Sequence, residues 1–368
     1  MIYFDHNATT PLDETVLDAM LPYLNKVYGN PSSLYSLGRI SKSAIDTARE
    51  QVADLIDSRA EDIIFTSGGT EANALAIKSL RDKTLYISAV EHPSVSDNCS
   101  DRPVAANVLA VDDQGKICTG TQQWQQMPSD SWVSIMTANN ETGVIQDLNK
   151  LIAECHARGI HFHTDAVQAL GKLDFSFRRL NLDMASLSSH KIYGPKGCGA
   201  LVVKNNTFIK ALQSGGNQES ALRAGTENVA AIVGFGKAAE IAKQSMQQVQ
   251  TRLIHLRNYL QQELLKFENI HIFSAYAERL ANTVQFAIEN QQGEMLLMQL
   301  DQMGIAVSSG SACKAGSGYI SPVLSAMGIK PELAQSAIRI SLGKQNTEQQ
   351  IDQFIVALKT ITGHSYRG

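Results

Sequence analysis

Short β-forming runs alternate with helical patterns between residues 41 and 203, and few folds accept that alternation. The runs are EDIIFTS (61–67), KTLYISAV (83–90), SWVSIMTA (131–138), GIHFHTD (159–165), DMASLSS (183–189) and GALVV (199–203). Among them lie SKSAIDTAREQVADLID (41–57), EANALAIKSL (71–80) and DLNKLIAECHARG (147–159). In the last, Leu148, Leu151, Ile152 and Cys155 recur at i, i+3, i+4 and i+7, which predicts one buried helix face. Strands alternating with helices predict an α/β fold, a mostly parallel sheet with helices on both faces.

Beyond residue 205 the pattern changes. A long helical stretch is expected from about Glu227 to Leu265, with a break near Gly234 and Gly236. NTVQFAI (282–288), GEMLLMQLDQMG (293–304), AIRISL (337–342) and a final helix near 347–361 follow. A chain of 368 residues suggests two domains, and the expected boundary falls inside the long helix, near residue 245.

Composition narrows the class of function. A net charge of −4 without a long Lys/Arg run argues against direct nucleic-acid binding. The five cysteines, Cys99, Cys118, Cys155, Cys198 and Cys313, show neither CxxC nor zinc spacing, so a reduced compartment and no metal are expected. No apolar run approaches the ~18–20 residues that span a bilayer. The opening MIYFDHNATTP lacks the plan of a signal peptide. The expectation is a cytoplasmic protein with no membrane contact.

Four stretches could carry chemistry. FTSGGTEAN (65–73) runs from a strand through two glycines into a helix, where free N–H groups suit an anion; the alternative is a tight turn and a capped helix. In FHTDAVQALGK (162–172), Asp165 ends a strand with buried neighbours, so it needs a partner, unless it caps the next helix. In LSSHKIYGPKGCGALVV (187–203), Lys191 follows a strand end beside His190, Ser188 and Ser189. A lysine amine placed in a site forms Schiff bases; the alternative is a surface turn. In AIRISLG, Arg339 faces away from Ile338 and Ile340, which suits either capture of a carboxylate or a surface edge. Pyridoxal phosphate needs an anion cradle, a carboxylate for its pyridinium nitrogen and a lysine for its aldehyde. Gly69 with Thr70, then Asp165, then Lys191 supply all three in that order. One thiol stands apart: Cys313 lies in SSGSACKAGSG (308–318), where almost every neighbour is Ser, Gly or Ala. That composition reads as a mobile loop rather than a core.

The chain resembles the cysteine desulfurases of the NifS/IscS type, class-V aminotransferases of fold type I. The resemblance runs nearly end to end, through YFDHNATTP (3–11), GNPSSLYSLGR (29–39), FTSGGTEANALAIK (65–78), EHPSV (91–95), NNETGVIQD (139–147), HTDAVQALGK (163–172), SSHKIYGPKGCGAL (188–201), LRAGTEN (222–228) and SSGSAC (308–313). It implies an N-terminal segment (1–15) packing with the small domain, a large pyridoxal 5'-phosphate domain (16–245) and a small α+β domain (246–368) carrying the cysteine loop. It implies that Lys191 holds the cofactor and moves the Cα proton, that Asp165 pairs with the ring nitrogen, and that His92 stacks on the ring and serves as acid or base. Gln168 and Asn140 would lie near the ring hydroxyl and the substrate. Gly69, Thr70, Ser188 and His190 would bind the phosphate. Thr226 would reach the partner subunit's phosphate in a homodimer, and Arg339 would grip the carboxylate of L-cysteine. Cys313 would take the sulfur as a persulfide, with Lys314 stabilising the thiolate, and pass it to an acceptor protein, as in iron–sulfur cluster biogenesis.

The chain departs from the family pattern in three places. GGNQESALRAGT (215–226) carries Asn217, Ser220 and Ala221 where Gly, Arg and Gly are usual, which bears on a surface or partner contact. Cys198 replaces an aliphatic residue, a packing change. The sequence ends at Gly368, short of the tail that docks an iron–sulfur scaffold in housekeeping members. A selenocysteine or cystine lyase, a class-V aminotransferase and a non-catalytic paralogue stand as alternatives. Cys313 distinguishes the first two from a desulfurase, and Lys191, Asp165 and His92 speak against the third.

Overall fold

The β-forming runs pair with one another because both of their faces are covered. A computed structural model describes residues 1–100, 102–204, 207, 209–309 and 320–363. The chain opens with β1 (Ile2–Tyr3), α1 (Glu14–Asn25), α2 (Ser36–Leu55), β2 (Ile63–Thr66), α3 (Gly69–Ser79), β3 (Leu85–Ser88), α4 (Pro93–Ser96), β4 (Asn107–Leu109), α5 (Gln122–Gln125) and β5 (Trp132–Ser134). Next come α6 (Leu148–His156), β6 (His161–Asp165), β7 (Met184–Ser188), β8 (Gly199–Val203) and α7 (Val229–Leu264). The last elements are β9 (Ile270–Ile272), β10 (Thr283–Ile288), α8 (Gly293–Gln302), β11 (Ile305–Ala306), α9 (Pro322–Ala326), α10 (Pro331–Gln335), β12 (Ala337–Ser341) and α11 (Glu348–Thr362).

The main sheet has seven strands in the order β2-β8-β7-β6-β5-β3-β4. Neighbours from β7 through β4 are parallel, whereas β8 runs antiparallel to both β7 and β2. Alternate side chains enter different cores. Ala185, Leu187, Ala200 and Val202 pack with Val52, Leu151 and Phe235, while Met184, Leu201 and Val203 pack with Leu75 and Ile77. Burial on both faces is why these strands read as near-continuous apolar runs rather than clean alternations.

A second, antiparallel sheet has the order β12-β10-β9. Val284, Phe286, Ile338 and Ile340 meet the C-terminal half of α7 through Leu253, Leu256, Leu260 and Leu264, with Phe354 and Leu358 of α11. Phe4 joins this core, and β1 pairs in parallel with β11.

Three local expectations need correction. The helix expected from residue 41 starts at Ser36. Helix α1 was not anticipated; Asp13 caps it by accepting the Thr15 N–H at 2.9 Å, and Pro22 inside it hides the helical signal. Helix α7 runs unbroken through Gly234 and Gly236, because both glycines admit neighbouring elements rather than end the helix. Among the described residues, no helix is long and apolar enough to cross a membrane.

Candidate active site

Strand β6 ends on a carboxylate that points into protein, not solvent. Asp165 is buried; its Oδ2 accepts from Asn73 Nδ2 at 2.7 Å and its Oδ1 from the Val167 N–H at 2.9 Å. No helix follows for Asp165 to cap: one oxygen caps a turn, and α3 supplies the partner of the other. Asn73 Nδ2 also reaches Ser94 Oγ at 2.8 Å, which ties Asp165 to the EHPSV turn. There His92 caps α4: its Nδ1 accepts from the Ser94 N–H at 3.1 Å and lies 2.7 Å from Ser94 Oγ. An accepting Nδ1 places the proton of the neutral ring on Nε2. Burial pushes the His92 pKa down; Asp165 opposes this and Lys191 adds to it. His92 thus lies within electrostatic reach of both Asp165 and Lys191.

Lys191 closes the 3-10 turn that follows β7. Its Nζ donates to the carbonyls of Asn7 at 2.5 Å and Ala8 at 2.7 Å, so it is engaged with the N-terminal segment and is not a surface-turn lysine. Gln168 is buried; its Nε2 donates to the same Asn7 carbonyl at 2.9 Å. Lys172 donates to Gln168 Oε1 at 2.8 Å and Asn7 Oδ1 at 3.2 Å.

Next to this cluster, Gly69 and Thr70 open α3. A β-carbon on Gly69 would lie 2.8 Å from Val167 Cγ2 and 3.4 Å from Ser188 Cβ. No side chain fits there, and backbone can come close. Ser188 Oγ, at the end of β7, is buried without a hydrogen-bond partner, an expensive arrangement for an isolated hydroxyl. His190 Nδ1 lies 3.1 Å from Thr9 Oγ1. Burial, then Lys191 and Lys196, brings its pKa down to about 4, so at neutral pH it is a neutral hydrogen-bonding group. Thr70 and Thr226 are exposed. An orphaned hydroxyl at a helix start, a lysine amine and a buried carboxylate are the donor set that a phosphate, an aldehyde and a pyridinium nitrogen require. The residues present fit pyridoxal 5'-phosphate.

Arg339 sits mid-strand in β12, the edge of its sheet, yet is only 2% exposed. The surface-edge alternative fails because the N-terminal segment and the stretch after β11 cover that edge: Asp5 bridges to Ser341, and Ser308 pairs with Arg339. Arg339 Nη2 donates to Asp5 Oδ1 at 2.6 Å and Nη1 to the Asn140 carbonyl at 2.9 Å. Asn140 therefore enters the site through its backbone oxygen, which also accepts from Asn7 Nδ2 at 3.1 Å.

Cys313 and Lys314 lie outside the described residues. The other four cysteines are free thiols, and burial raises the pKa of Cys198 far above the thiol range, in keeping with a packing residue. Asn217, Ser220 and Ala221 are exposed. Between them Glu219 turns inward, accepting hydrogen bonds from Arg49 Nη1 and Nη2 at 2.7 and 2.6 Å. Sequence reasoning missed Asn7, Asn73, Glu91 and Lys172 as site residues. All four lie within quoted motifs, but nothing in their local patterns marks them.

A family model for class-V aminotransferases matches residues 2–354. A protein named cysteine desulfurase IscS from Methanosarcina thermophila is 40% identical over 369 residues, covering 98% of this chain and 91% of that protein. One of the same name from Dictyoglomus turgidum is 40% identical over 370 residues, with 98% and 94% covered. Among solved structures, a NifS-like protein from Rickettsia africae superposes with a TM-score of 0.93 at 37% identity, covering 99% of each chain. A structure described as SspA in complex with cysteine gives 0.81 at 31% identity, covering 94% of this chain and all of that one.

Proposed function

Because the chain belongs to the class-V aminotransferase family, among its cysteine desulfurases, we propose that it withdraws sulfur from L-cysteine using pyridoxal 5'-phosphate and carries it on Cys313. The observation that supports this best is the convergence of Asp165, His92, Lys191 and the orphaned Ser188 hydroxyl at the carboxyl ends of β6 and β7. Ligands of open α/β sheets gather at that edge. Pyridoxal 5'-phosphate, when bound there, supplies an aldehyde for amines and an electron sink for bonds at Cα.

The protein groups then divide the work. The α3 N-terminus at Gly69 and Thr70, with Ser188 and His190, holds the phosphate by N–H and O–H donation and a favourable dipole. Thr226 reaches the partner subunit's phosphate in a homodimer. Asp165 keeps a proton on the ring nitrogen, and Asn73 fixes the carboxylate that does so. His92 would stack on the ring, with the proton of its neutral form on Nε2. Lys191 would hold the aldehyde, and its amine would move the Cα proton. Gln168 and Asn140 border the ring hydroxyl and the substrate, and Arg339 binds the substrate carboxylate. The Cys313 thiolate attacks the substrate sulfur. The Cβ–S bond breaks with its electron pair staying on carbon, which is protonated on the way to alanine. The sulfur remains on Cys313 as a persulfide until an acceptor protein takes it. Cytoplasmic residence and a large cofactor domain (16–245) joined to a smaller one (246–368) belong to the same proposal.

The purified protein should be yellow, with a band near roughly 410–420 nm that Lys191→Ala abolishes. With a reductant it should yield sulfide and alanine from L-cysteine, and Cys313→Ser should yield neither. A wild-type protein that takes up no cofactor, or a Cys313→Ser enzyme with full activity, would overturn this reading.

A further inference from the structure

We propose that Lys172 is a positioning residue of the cofactor site: it fixes the Gln168 carboxamide so that the NH2 group, not the oxygen, faces the ring. The inference rests on the function proposed above and adds a residue to it.

A lysine ammonium has three donors and no acceptor. Lys172 Nζ therefore dictates which end of each carboxamide faces it. It lies 2.8 Å from Gln168 Oε1 and 3.2 Å from Asn7 Oδ1, so both amides turn their NH2 groups away. For Asn7, those donors reach the Asn140 carbonyl at 3.1 Å and Thr283 Oγ1 at 2.9 Å. For Gln168, one N–H reaches the Asn7 carbonyl at 2.9 Å, which leaves the second N–H to donate to the ring oxygen. The same Asn7 carbonyl receives Lys191 Nζ at 2.5 Å. Lys172, Gln168, Asn7 and Lys191 form one connected chain of hydrogen bonds, and Arg339 joins it through the Asn140 carbonyl at 2.9 Å.

Lys172 is an expensive group to keep there. Burial first, then the charges of Lys191 and Arg339, brings its pKa down to about 7. His6 on the N-terminal segment faces it and is itself brought down to about 4, by burial more than by Lys172. Asp13, Tyr193 and Lys344 line the same cavity, where Asp13 is already paired with Lys344. A pKa of about 7 leaves Lys172 partly charged at neutral pH; the neutral amine keeps two N–H donors, enough for Gln168 Oε1 and Asn7 Oδ1, so its effect on the ring runs through the orientation of Gln168.

A donor at the ring oxygen stabilises negative charge there, which weakens the hold of the adjacent Lys191 linkage on its proton. Without Lys172, Gln168 can rotate and present its oxygen, and the linkage should keep that proton to higher pH. The test is a spectrophotometric pH titration of the reconstituted holoenzyme. In Lys172→Met the midpoint at which the long-wavelength band fades should rise by about one pH unit, a tenfold change in proton affinity. Gln168→Leu should raise it as well, and adding Lys172→Met to Gln168→Leu should change nothing further. If Lys172→Met does not fold, Lys172→Gln, neutral and of similar length, carries the same cycle. A midpoint unchanged from wild type in the Lys172 variant overturns the proposal, as does a shift that persists in full without Gln168. A wild-type protein that takes up no cofactor overturns the functional reading instead, so the two failures are distinct.

Discussion

Glu91 lies beside the site as a buried carboxyl group whose hold on its proton is strengthened by burial. Its Oε1 accepts the Met136 N–H at 2.7 Å, while its Oε2 is buried without a hydrogen-bond partner. Burial raises its pKa well above the carboxylate range; the Met136 N–H opposes this and the charge of Asp165 adds to it. A neutral Glu91 spares Asp165 a second negative charge at close range, as expected when two carboxyl groups share a dry site. The unfolded chain releases the Glu91 proton above about pH 4.5, whereas the folded chain keeps it to a much higher pH. The stabilising linkage is therefore full below the unfolded value and is lost as pH rises through the folded one. Relative to wild type, Glu91→Gln should gain about 1.4 kcal/mol for each pH unit above 4.5 until that folded value is reached. Urea unfolding from pH 5 to 8 measures it, and a difference that stays flat with pH would refute the protonated state. Lys191, Asp165 and Arg339 were legible in the sequence because each is a reactive type at a strand end or on a strand face. Glu91 and Asn73 were not, because their roles come from burial and from contacts such as Asn73 with Asp165, 92 positions apart.

At the scale of elements, glycine misled where its local meaning and its packing meaning differ. Gly234 and Gly236 read as a break in a helix, since glycine costs about 1 kcal/mol there relative to alanine. In the fold they are where α1 and α2 come closest to α7. A β-carbon on Gly236 would lie 2.6 Å from Ala48 Cα and 2.7 Å from Ala48 Cβ, against the backbone of α2. One on Gly234 would meet Met20 Sδ at 2.6 Å and Cγ at 2.8 Å, on a flexible side chain, and Pro195 Cδ at 3.0 Å. The two sites should therefore respond differently. Gly236→Ala should lose about 1–3 kcal/mol, because overpacking outweighs the gain in helix propensity. Gly234→Ala should lose less than Gly236→Ala, as Met20 swings aside. Urea midpoints for the two variants decide it, and a Gly236→Ala protein as stable as wild type would mean that α2 is free to retreat. The strands show the opposite case. Their runs were legible because double-sided burial leaves them apolar throughout, and only their ends were overdrawn, as in 83–90 against the observed Leu85–Ser88.

Across the whole molecule, the first thirteen residues join parts that the rest of the chain keeps separate. Ile2 and Tyr3 pair with β11, and Phe4 fills the core beneath the three-stranded sheet. Asp5 holds Arg339, Asn7 holds Lys191 and Lys172, and Thr10 donates to the His190 carbonyl at 2.9 Å. The residue proposed to bind the substrate carboxylate and the residue proposed to bind the aldehyde are thus set against each other by one short strip. Its packing with the small domain was expected only from the family resemblance, and its contacts with the site were not legible from its own pattern, since DHNATT shows no periodicity and each contact spans more than 160 positions of sequence. The Asp5–Arg339 pair is its most heavily buried charge contact, with side chains 17% and 3% exposed. Asp5→Ala should cost about 3 kcal/mol, because it leaves a buried guanidinium short of a counter-charge. Glu141 limits that loss: it is buried near Arg339, and its raised pKa, caused first by burial, is already opposed by that charge. When Asp5 is removed, Glu141 is the carboxyl group in place to ionise. Asp5→Asn keeps an acceptor oxygen and should lose about half as much, since a hydrogen bond to a charged group contributes roughly 1.5–3 kcal/mol. Chemical unfolding of the two variants at neutral pH measures both losses. Equal stability of all three proteins would show that the strip only covers Arg339, whereas the graded loss would show that it aims the guanidinium that the substrate must meet.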